Sequence, residues 1–486
     1  MRKIEYYEKF SKQICEFLGV KLELEGNGSQ VEFIPKFKSN FMRKTLDQIG
    51  SFFIVADMIL EKYYENNNSI YFSNLIEEFT QVLISEMVTK NFKLTHEQLN
   101  FIETLKEVSN ETYENESSTL SVLIFKNKAT IKEELDKIEL DYLPFEEEKD
   151  IKEIFKEKLS LIMLNGDNLL LIVGEDYKVY GVGVNRSKTT VVKEKMFQDF
   201  RVENNGYLIN YLKLLSKNLL KHIDKSVIEL GSRGEFSLDE KKIKKLVEYS
   251  RKQMISAENL YDIHNKKIIK MFPFVYTEID KRELKIYLQN SVDNFLSYKN
   301  GKWRLKSFHV LKFLILDTFY IDSYIHNLFN NNKENKDITS DMVMNIDMLI
   351  RIIKSLLDEG KGGLFLILNR TITKEQRKKI YIDEDSEKTI YEKIILKENK
   401  NAQLKDHNFE YLKLISKIDG AVTLDYNFNL LSFGKLIHLD LEGHTSNIQG
   451  ARTAAALSGS KYGLAIKVSE DGNITIWQNK GKKLEI

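Results

Sequence analysis

The stretch KIDGAVTLDY, residues 417 to 426, places an acidic residue at the mouth of an apolar, strand-like run. Asp419 is followed by Gly420 and Ala421, two of the smallest residues. A carboxylate at the end of a buried strand is unfavourable unless a metal ion, a cation or a hydrogen-bond donor lies beside it. Small residues also let a ligand approach the backbone. The stretch therefore indicates either a turn or a ligand site.

A second set of residues that could do chemistry opens the stretch GARTAAALSGSKYG, residues 450 to 463. The pattern predicts a helix that begins at Gly450 and carries Arg452 and Thr453 in its first turn. Free backbone N–H groups and a guanidinium at one place suit a phosphate group. Alternatively, Gly450 simply begins the helix and its alanines allow tight packing. Arg452 still requires an anion in this small-residue neighbourhood, either a phosphate or a protein carboxylate.

The stretch VSEDG, residues 468 to 472, adds Ser469 and Glu470. The pair Asp471-Gly472 is preferred in a tight hairpin turn whether or not a ligand binds, so we interpret it as structural. Other classes of site lack their sequence patterns. The eight histidines show no zinc-binding spacing, one cysteine excludes a cysteine zinc site, and neither GxxxxGK[ST] nor GxGxxG occurs.

Composition limits the class of protein. The 486 residues have room for two or three domains, and 42% of them are hydrophobic and 30% charged, which is typical of globular proteins. The net charge of +1 gives no general attraction to nucleic acid or to anionic membranes. The basic clusters KKIKKL (241–246) and KEQRKK (374–379) lack interleaved aromatic residues and are typical of solvated helix faces. Nucleic acid is therefore not an expected partner.

The cellular location is predicted from three features. Cys15 is the only cysteine, so no intramolecular disulfide can form. The N-terminus MRKIEYYEKF has charges where a secretory signal is apolar. The most apolar stretches are short and contain Asp57 or Asp317. We expect a cytoplasmic protein with no membrane span.

The elements that must position these residues are predicted from hydrophobic spacing. Residues 1–115 are expected to form a helical N-terminal region. Residues 116–335 are expected to form an α+β middle domain with a regulatory or sensory role. Its predicted elements are a strand at STLSVLIFKN, a charged helix at LPFEEEKDIKEIFKEKLS, a small β-meander over 161–185, helices over 208–225 and 238–270, and a hairpin through Asn300-Gly301.

Residues 340–486 are expected to form a third domain with a mixed α/β sheet. The helix MLIRIIKSLLDEG and Gly362-Gly363 lead into the strand LFLILNR, and the helix NFEYLKLISKI leads to Asp419. Two strands around the turn DYNFN, the helix from Gly450 and the hairpin LAIKVSEDGNITIWQ complete it. The predicted fold class is α/β, in a multidomain α+β chain.

The ordered set DGA (419–421), GAR (450–452) and VSEDG (468–472) resembles the nucleotide-binding domain of bacterial diadenylate cyclases. The helix YLKLISKI and the strand that ends in Gly434-Lys435-Leu436 agree with that pattern. The resemblance covers roughly residues 340–486. It is closer to a divergent branch of the superfamily, described as nucleotide sensors in bacterial conflict systems. Those proteins also carry a helical and β-rich region upstream, which PFEEEKDIKEIF to YGVGV resembles loosely.

The resemblance implies a mechanism and a set of residues. In such cyclases each subunit binds one ATP, two sites face each other across a dimer, and each 3′-hydroxyl attacks the α-phosphate of the other ATP to give cyclic di-AMP. Asp419 would be the catalytic residue and, with Glu470, a ligand of Mg²⁺ or Mn²⁺. Gly420 and Ala421 would leave space for a base or ribose. The implied nucleotide-binding residues are Gly420, Ala421, Leu436, Gly450, Arg452, Thr453 and Ser469.

The chain departs from the cyclase pattern at the start of the helix from Gly450. Those enzymes carry Gly-Thr-Arg-His-Arg, whereas this chain has Gly450-Ala451-Arg452-Thr453-Ala454 and keeps one cationic side chain of three. Phosphoryl transfer depends on positioning and on neutralising phosphate charge, so the loss of one donor costs on the order of a hundredfold in rate. Binding can survive such a loss. Lys435, Lys461 and His444 are candidates to supply positive charge instead.

Three hypotheses remain at this point. The favoured one is a nucleotide sensor whose cyclase-like domain binds an adenine nucleotide or a cyclic dinucleotide. The second is an active metal-dependent diadenylate cyclase, so enzymatic activity is left open. The third is a ligand-free oligomerisation scaffold. An active enzyme must at least dimerise through the C-terminal domain, because a twofold-symmetric product requires two facing sites; a sensor need not.

Overall fold

A computed structural model describes the chain in the following ranges: residues 3–19, 22–25, 32–35, 52, 54–56, 58–59, 75–113, 116–117, 119–156, 169–186, 273–288, 293–329, 338–382, 403–440 and 450–486. These residues belong to two compact units. Those of the first unit lie within Met1–Tyr207 and Tyr261–His309, and those of the second lie within Val310–Ile486. The helices predicted over 208–225 and 238–270 fall outside the described residues.

The first unit is built from helices and one large sheet. Its helices are α1 (Lys3–Leu18), α2 (Leu75–Thr89), α3 (His96–Asn110), α4 (Ile131–Lys137) and α5 (Ile151–Ile154). Two small hairpins are formed by β1 (Leu22–Glu25) with β2 (Glu32–Pro35) and by β3 (Thr112–Tyr113) with β4 (Glu116–Ser117).

Eight further strands form the large sheet of the first unit, in the order β12-β11-β10-β9-β5-β7-β8-β6. They are β5 (Leu120–Phe125), β6 (Leu140–Lys149), β7 (Leu169–Val173), β8 (Val179–Asn185), β9 (Phe274–Asp280), β10 (Glu283–Tyr287), β11 (Asn294–Lys299) and β12 (Lys302–Ser307). The β11–β12 hairpin turns at Asn300-Gly301, as predicted. The described strands of the predicted small meander, β7 and β8, are part of a larger sheet. β9 pairs antiparallel with β5 and joins β10, β11 and β12 to it.

Helices α1 to α3 pack against this sheet. α1 contacts β12, α2 contacts β9 and β12, and α3 contacts β9 and β10. The rings of Phe17 in α1 and Phe79 in α2 meet edge to face at 5.3 Å, and Trp303 of β12 donates to the Glu77 carboxylate of α2 at 2.8 Å. Burial of these aromatic side chains removes large apolar areas from water and supplies much of the stability of such a layer.

The helix predicted at LPFEEEKDIKEIFKEKLS is wrong for most of its described length. Residues up to Lys149 form the edge strand β6, and only α5 is helical. Pro144 disfavours helical backbone at Leu143 and cannot donate within a helix. Pairing of Leu140 to Pro144 with β8 satisfies the backbone in extended form instead. Asp150 then caps α5 by accepting from the Lys152 N–H.

The second unit contains the mixed α/β sheet predicted for the C-terminal region. The chain enters through α6 (Phe308–Phe329) and α7 (Ile338–Asp358). The sheet has the order β15-β14-β13-β16-β17-β18, with β13 and β14 parallel and all other neighbours antiparallel. Its strands are β13 (Gly363–Leu368), β14 (Ala421–Leu424), β15 (Leu430–Lys435), β16 (Gly463–Val468), β17 (Ile474–Gln478) and β18 (Gly481–Glu485).

Three more helices complete the second unit: α8 (Lys374–Lys378), α9 (Phe409–Ser416) and α10 (Ala451–Gly459). The α/β fold class is thereby confirmed, as are the strand at LFLILNR, the turn at DYNFN and the hairpin at Asp471-Gly472. The division into 1–115, 116–335 and 340–486 stays a prediction. Among the described helices, none combines the length and the apolar character needed to cross a bilayer.

One end of the second sheet collects the termini of several elements. β13 and β14 run parallel, so both begin there, and β16 ends there because Val468 pairs with Gly363. β15 also ends there, since Lys435 pairs with Ala421. We call this the Gly362 end, after the residue that precedes β13. All the site residues predicted from the sequence lie in or next to elements that start or finish at this end.

Candidate functional site

Three acidic and basic residues from separate stretches meet at the Gly362 end. Arg452 donates through Nη2 to Asp419 Oδ1 at 3.3 Å and through Nη1 to Glu470 Oε1 at 3.1 Å. The structure thus joins the DGA, GAR and VSEDG stretches through one guanidinium. The side chains of Asp419 and Glu470 are 92% and 66% exposed, and that of Arg452 is 35% exposed. Ion pairs as exposed as these contribute about 1 kcal/mol or less, so they orient side chains more than they stabilise the fold.

Asp419 is positioned by a close contact between two backbones. Gly420 adopts a φ of +107°, and a Cβ there would lie 2.5 Å from the carbonyl carbon of Gly434 and 2.7 Å from the nitrogen of Lys435. Only glycine accepts both the left-handed conformation and this approach. The space beside Gly420 is therefore filled by the end of β15. Gly420 fixes the start of β14 and, with it, the preceding carboxylate.

Arg452 is positioned by two glycines. Gly450 precedes α10 with a φ of +91°, and its carbonyl accepts from the N–H groups of Thr453 and Ala454 at 3.1 and 3.2 Å. Gly362 lies beneath the guanidinium, where a Cβ would be 2.0 Å from Arg452 Nη1. The sequence pattern gave Gly362 no role beyond leading into β13. A glycine directly before a buried strand is a signal of close approach that could have identified it.

Thr453 has a partner that the sequence pattern did not identify. Lys467 of β16 donates from Nζ to Thr453 Oγ1 at 2.9 Å, which brings a second positive charge to the start of α10. Of the three cations predicted for this purpose, Lys461 pairs with Asp440 at 3.0 Å and Lys435 lies over the ring of Tyr381. The third, His444, lies outside the described residues. Lys467 is the only residue of β16 that is not buried. The alternation of apolar and polar residues in IKVSE could have indicated this.

The remaining predicted ligand residues differ in accessibility. Ala421 is fully buried in the core with Leu364 and Ala465, so its side chain does not border a space for a base or ribose. β14 is buried along its whole length, and the assignment of Ala421 to nucleotide binding stays a prediction. Leu436 is 58% exposed and follows β15 at the Gly362 end.

Ser469 belongs to the turn between β16 and β17. Its hydroxyl donates to Asp471, whose carboxylate also accepts from the backbone and side chain of Asn473 at 3.3 and 3.0 Å. Burial raises the pKa of Asp471, but these hydrogen bonds and the charge of Lys467 outweigh burial and leave the pKa below its usual value. Asp471 and Gly472 thus have the structural role predicted for them.

The two carboxylates at the Gly362 end fit a divalent cation that is bound together with a ligand. Asp419 and Glu470 both face one cationic group, and Mg²⁺ commonly takes one or two carboxylates and completes its shell with water and phosphate oxygens. Within the described residues, no cluster of three or more His, Cys, Asp or Glu could hold a metal alone. A metal here would depend on oxygen atoms from outside the protein.

Comparisons with known proteins give little further information. No protein-family model matches the chain, and no curated protein sequence matches it. Similar solved structures include a double cysteine mutant of DacA from Staphylococcus aureus, at 17% identity over 30% of this chain and 89% of that one, with a TM-score of 0.23. A hypothetical membrane spanning protein from Bacillus cereus is 15% identical over 36% and 92% of the two chains, with a TM-score of 0.20. Similarities this low carry no argument about this protein.

Proposed function

We propose that the second unit binds an adenine nucleotide or a cyclic dinucleotide at its Gly362 end, and that the protein is a nucleotide sensor. The observation that supports this most is the meeting of Asp419, Arg452 and Glu470 on one guanidinium at the start of α10. A helix start with adjacent cations suits phosphate groups. The exposed side chain of Leu436 offers an apolar contact for a base.

A divalent ion, Mg²⁺ or Mn²⁺, would enter this site with the nucleotide. The two carboxylates and the guanidinium together carry a net charge of −1, which repels a polyphosphate. Asp419 and Glu470 would hold the ion, which neutralises phosphate charge when bound. Release of Arg452 from the carboxylates costs little because both pairs are exposed, so its guanidinium becomes available to a phosphate.

A diadenylate cyclase is the second candidate. The same carboxylate pair is the feature that favours it, since an exposed carboxylate such as that of Asp419 can accept a proton from a hydroxyl and hold a metal. Turnover would also require a second subunit facing the first through the C-terminal domain. The lack of cationic side chains at Thr453 and Ala454 places binding ahead of turnover in our proposal.

A ligand-free scaffold is the third candidate. One observation favours it: the requirement of Arg452 for an anion is already met within the protein by two carboxylates. This candidate predicts that neither a nucleotide nor a divalent ion binds at the Gly362 end.

The test is incubation of the purified full chain with ATP and Mn²⁺ or Mg²⁺, followed by mass spectrometry of the products and of the nucleotide retained by the protein. A sensor retains nucleotide and forms no product, and Asp419→Asn reduces retention because one metal ligand is lost. Cyclic di-AMP formed by the wild type and lost in Asp419→Asn would establish the enzyme instead. No retained nucleotide and no product would favour the scaffold.

A further inference from the structure

Lys467 brings its ammonium group to the first turn of α10. The side chain leaves β16 one residue before the strand ends, and its Nζ donates to the hydroxyl of Thr453 at 2.9 Å. Thr453 is the third residue of α10, and its hydroxyl lies on the Gly450 side of the turn, 3.9 Å from where a Gly450 Cβ would be. The ammonium group therefore lies next to the N-terminus of a nine-residue helix.

This position is electrostatically unfavourable for a lysine. A helix N-terminus carries a partial positive charge, so a cation beside it is repelled and an anion is attracted. The Thr453 hydroxyl is neutral and cannot offset either charge. In the described part of the chain Lys467 forms no ion pair. Asp471, whose carboxylate senses the charge of Lys467, is bound within its own turn by Ser469 and Asn473.

Arg452 differs from Lys467 in this respect. Its guanidinium has two carboxylate partners, Asp419 and Glu470, and rests on Gly362. The N–H groups of Ala451 and Arg452 precede the first internal bonds of α10, which run from Thr453 and Ala454 to Gly450. Among the described residues at this helix start, the lysine is thus the cation that no carboxylate contacts directly, and the backbone donors nearest the helix terminus can bind an anion together with it.

We infer that Lys467 is the phosphate-binding cation of the site. A phosphate group of the ligand would accept a hydrogen bond from the Lys467 ammonium, which in the free protein donates to the Thr453 hydroxyl. Arg452 stays paired with Asp419 and Glu470 until a divalent ion replaces it there, so Lys467 is the cation that meets the phosphate first. This inference rests on the proposed function and deepens it, because it names the side chain that recognises the phosphate. A charge-assisted hydrogen bond of this kind changes affinity by about ten- to a hundredfold.

The experiment measures binding to the full chain by isothermal titration calorimetry with three probes: ATP with Mg²⁺, pyrophosphate with Mg²⁺, and adenosine. The variant Lys467→Gln keeps a donor for Thr453 and removes the charge, and Lys467→Arg keeps the charge. Lys461→Gln is the matched control, because it removes one lysine charge from the far end of α10, where Lys461 pairs with Asp440. Thermal unfolding checks that each variant is folded.

Lys467→Gln is expected to weaken ATP and pyrophosphate binding at least tenfold and to leave adenosine binding unchanged, while Lys467→Arg and Lys461→Gln bind ATP within about threefold of the wild type. Unchanged ATP affinity in a folded Lys467→Gln variant overturns the inference and leaves the proposed function standing. A wild type that binds neither ATP nor pyrophosphate contradicts both the inference and the adenine-nucleotide form of the proposed function. Binding of pyrophosphate alone, lost in Lys467→Gln, supports Lys467 as the phosphate ligand and contradicts adenine nucleotide recognition.

Discussion

At the scale of residues, Arg452 illustrates how a single guanidinium can organise a site. The sequence predicted that it needs an anion, and the structure supplies two carboxylates from stretches 33 and 18 residues away. Both pairs are exposed, so their stability contribution is small. Their effect is to hold Asp419 and Glu470 toward the same point, where a competing cation would have to bind.

Replacement of Arg452 should therefore separate metal binding from nucleotide binding. In Arg452→Ala the two carboxylates lose their cation and attract another, so Mn²⁺ binding without nucleotide is expected to strengthen severalfold. Nucleotide binding is expected to weaken because a phosphate donor is lost. Electron paramagnetic resonance of free Mn²⁺ and calorimetry with ATP measure the two effects.

Arg186 provides a matched control for this variant. It also bridges two exposed carboxylates, Asp136 at 2.9 Å and Asp141 at 2.6 Å, but in the first unit. Arg186→Ala should leave the affinity for ATP unchanged. Equal effects of Arg452→Ala and Arg186→Ala on the affinities for Mn²⁺ and ATP would contradict a special role of Asp419 and Glu470.

At the scale of elements, glycines at strand termini decide how closely the parts of the site approach. Gly362→Ala would place a Cβ 2.0 Å from Arg452 Nη1. The end of this side chain is partly exposed and can move, so we expect a change in the free energy of unfolding below about 1 kcal/mol. Nucleotide binding should fall because the guanidinium is displaced. Calorimetry and urea unfolding measure the two.

Gly360→Ala is the control for Gly362→Ala. A Cβ at Gly360 meets no atom within 4 Å, although its φ of +64° is unfavourable for alanine. It should lower stability slightly through backbone strain and leave nucleotide affinity intact. Equal loss of binding in both variants would show that the Gly362 effect does not act through Arg452.

Gly420→Ala tests a contact of a different kind. Its Cβ would collide with backbone atoms of Gly434 and Lys435, which cannot rotate away, and its φ of +107° disfavours any side chain. We expect the free energy of unfolding of the second unit to decrease by about 2–4 kcal/mol. Urea unfolding followed by the fluorescence of Trp477, with Trp303 replaced by Phe, reports on this unit. A loss below about 0.5 kcal/mol would contradict the close contact.

The elements also show where sequence patterns suffice. The turn at DYNFN forms because Asp425 accepts from the N–H groups of Asn427 and Asn429, each at 2.9 Å, a local interaction that the residue types predict. The strand β13 is a short apolar run that is buried throughout. Both features depend on neighbours in sequence, which is why they could be predicted.

Features that depend on distant pairing could not be predicted in the same way. The charged run at 143–149 has a helical composition and becomes strand because both of its ends pair with β8, through Leu143 and Pro144 at one end and Lys149 at the other. The contact of Lys467 with Thr453 requires α10 to lie over β16, and that of Gly362 with Arg452 requires the start of β13 to lie beneath α10. The predicted site residues share one end of a sheet, but their individual contacts follow from its register.

At the scale of the whole molecule, each unit holds carboxylates whose charge is stabilised in the folded state. In the first unit, Glu283 of β10 is buried and lies 2.8 Å from the Lys306 ammonium of β12. Burial raises the pKa of Glu283, but the charges of Lys306 and Lys285 and hydrogen bonds from Lys306 and Ser297 outweigh burial and lower the pKa to about 2.

Removal of this charge should be costly. Glu283→Gln removes the carboxylate that lies 2.8 Å from the buried Lys306 ammonium, so the free energy of unfolding of the first unit should decrease by about 3–5 kcal/mol. Urea unfolding monitored through Trp303 measures the change. Glu359→Gln, which removes a carboxylate from the partly exposed pairs with Lys413 and Lys417, serves as the control and should cost less. Equal costs would contradict a buried ion pair at Glu283.

Acid should weaken both units over the same pH range. In the second unit, hydrogen bonds from Lys413 and Lys417 lower the pKa of Glu359 to about 2, and hydrogen bonds from Lys461 and Lys480 lower that of Asp440 to about 2. A depressed folded-state pKa contributes stability that is fully present above the ordinary pKa, near 4, and is lost as the pH falls toward 2. Urea midpoints measured at pH 7, 4, 3 and 2.5 should therefore fall as the pH decreases below about 4.5. A constant midpoint down to pH 2.5 would contradict these shifts.

The placement of Asp419, Arg452 and Glu470 outside the strands has a consequence for how such a protein can diversify. Asp419 precedes β14, Glu470 follows β16, and Arg452 lies in the first turn of α10, so none of them is part of the sheet whose buried residues hold the unit together. Substitutions at these positions alter the chemistry without repacking the core. A site built on these three residues can thus change its ligand while the sheet stays unchanged.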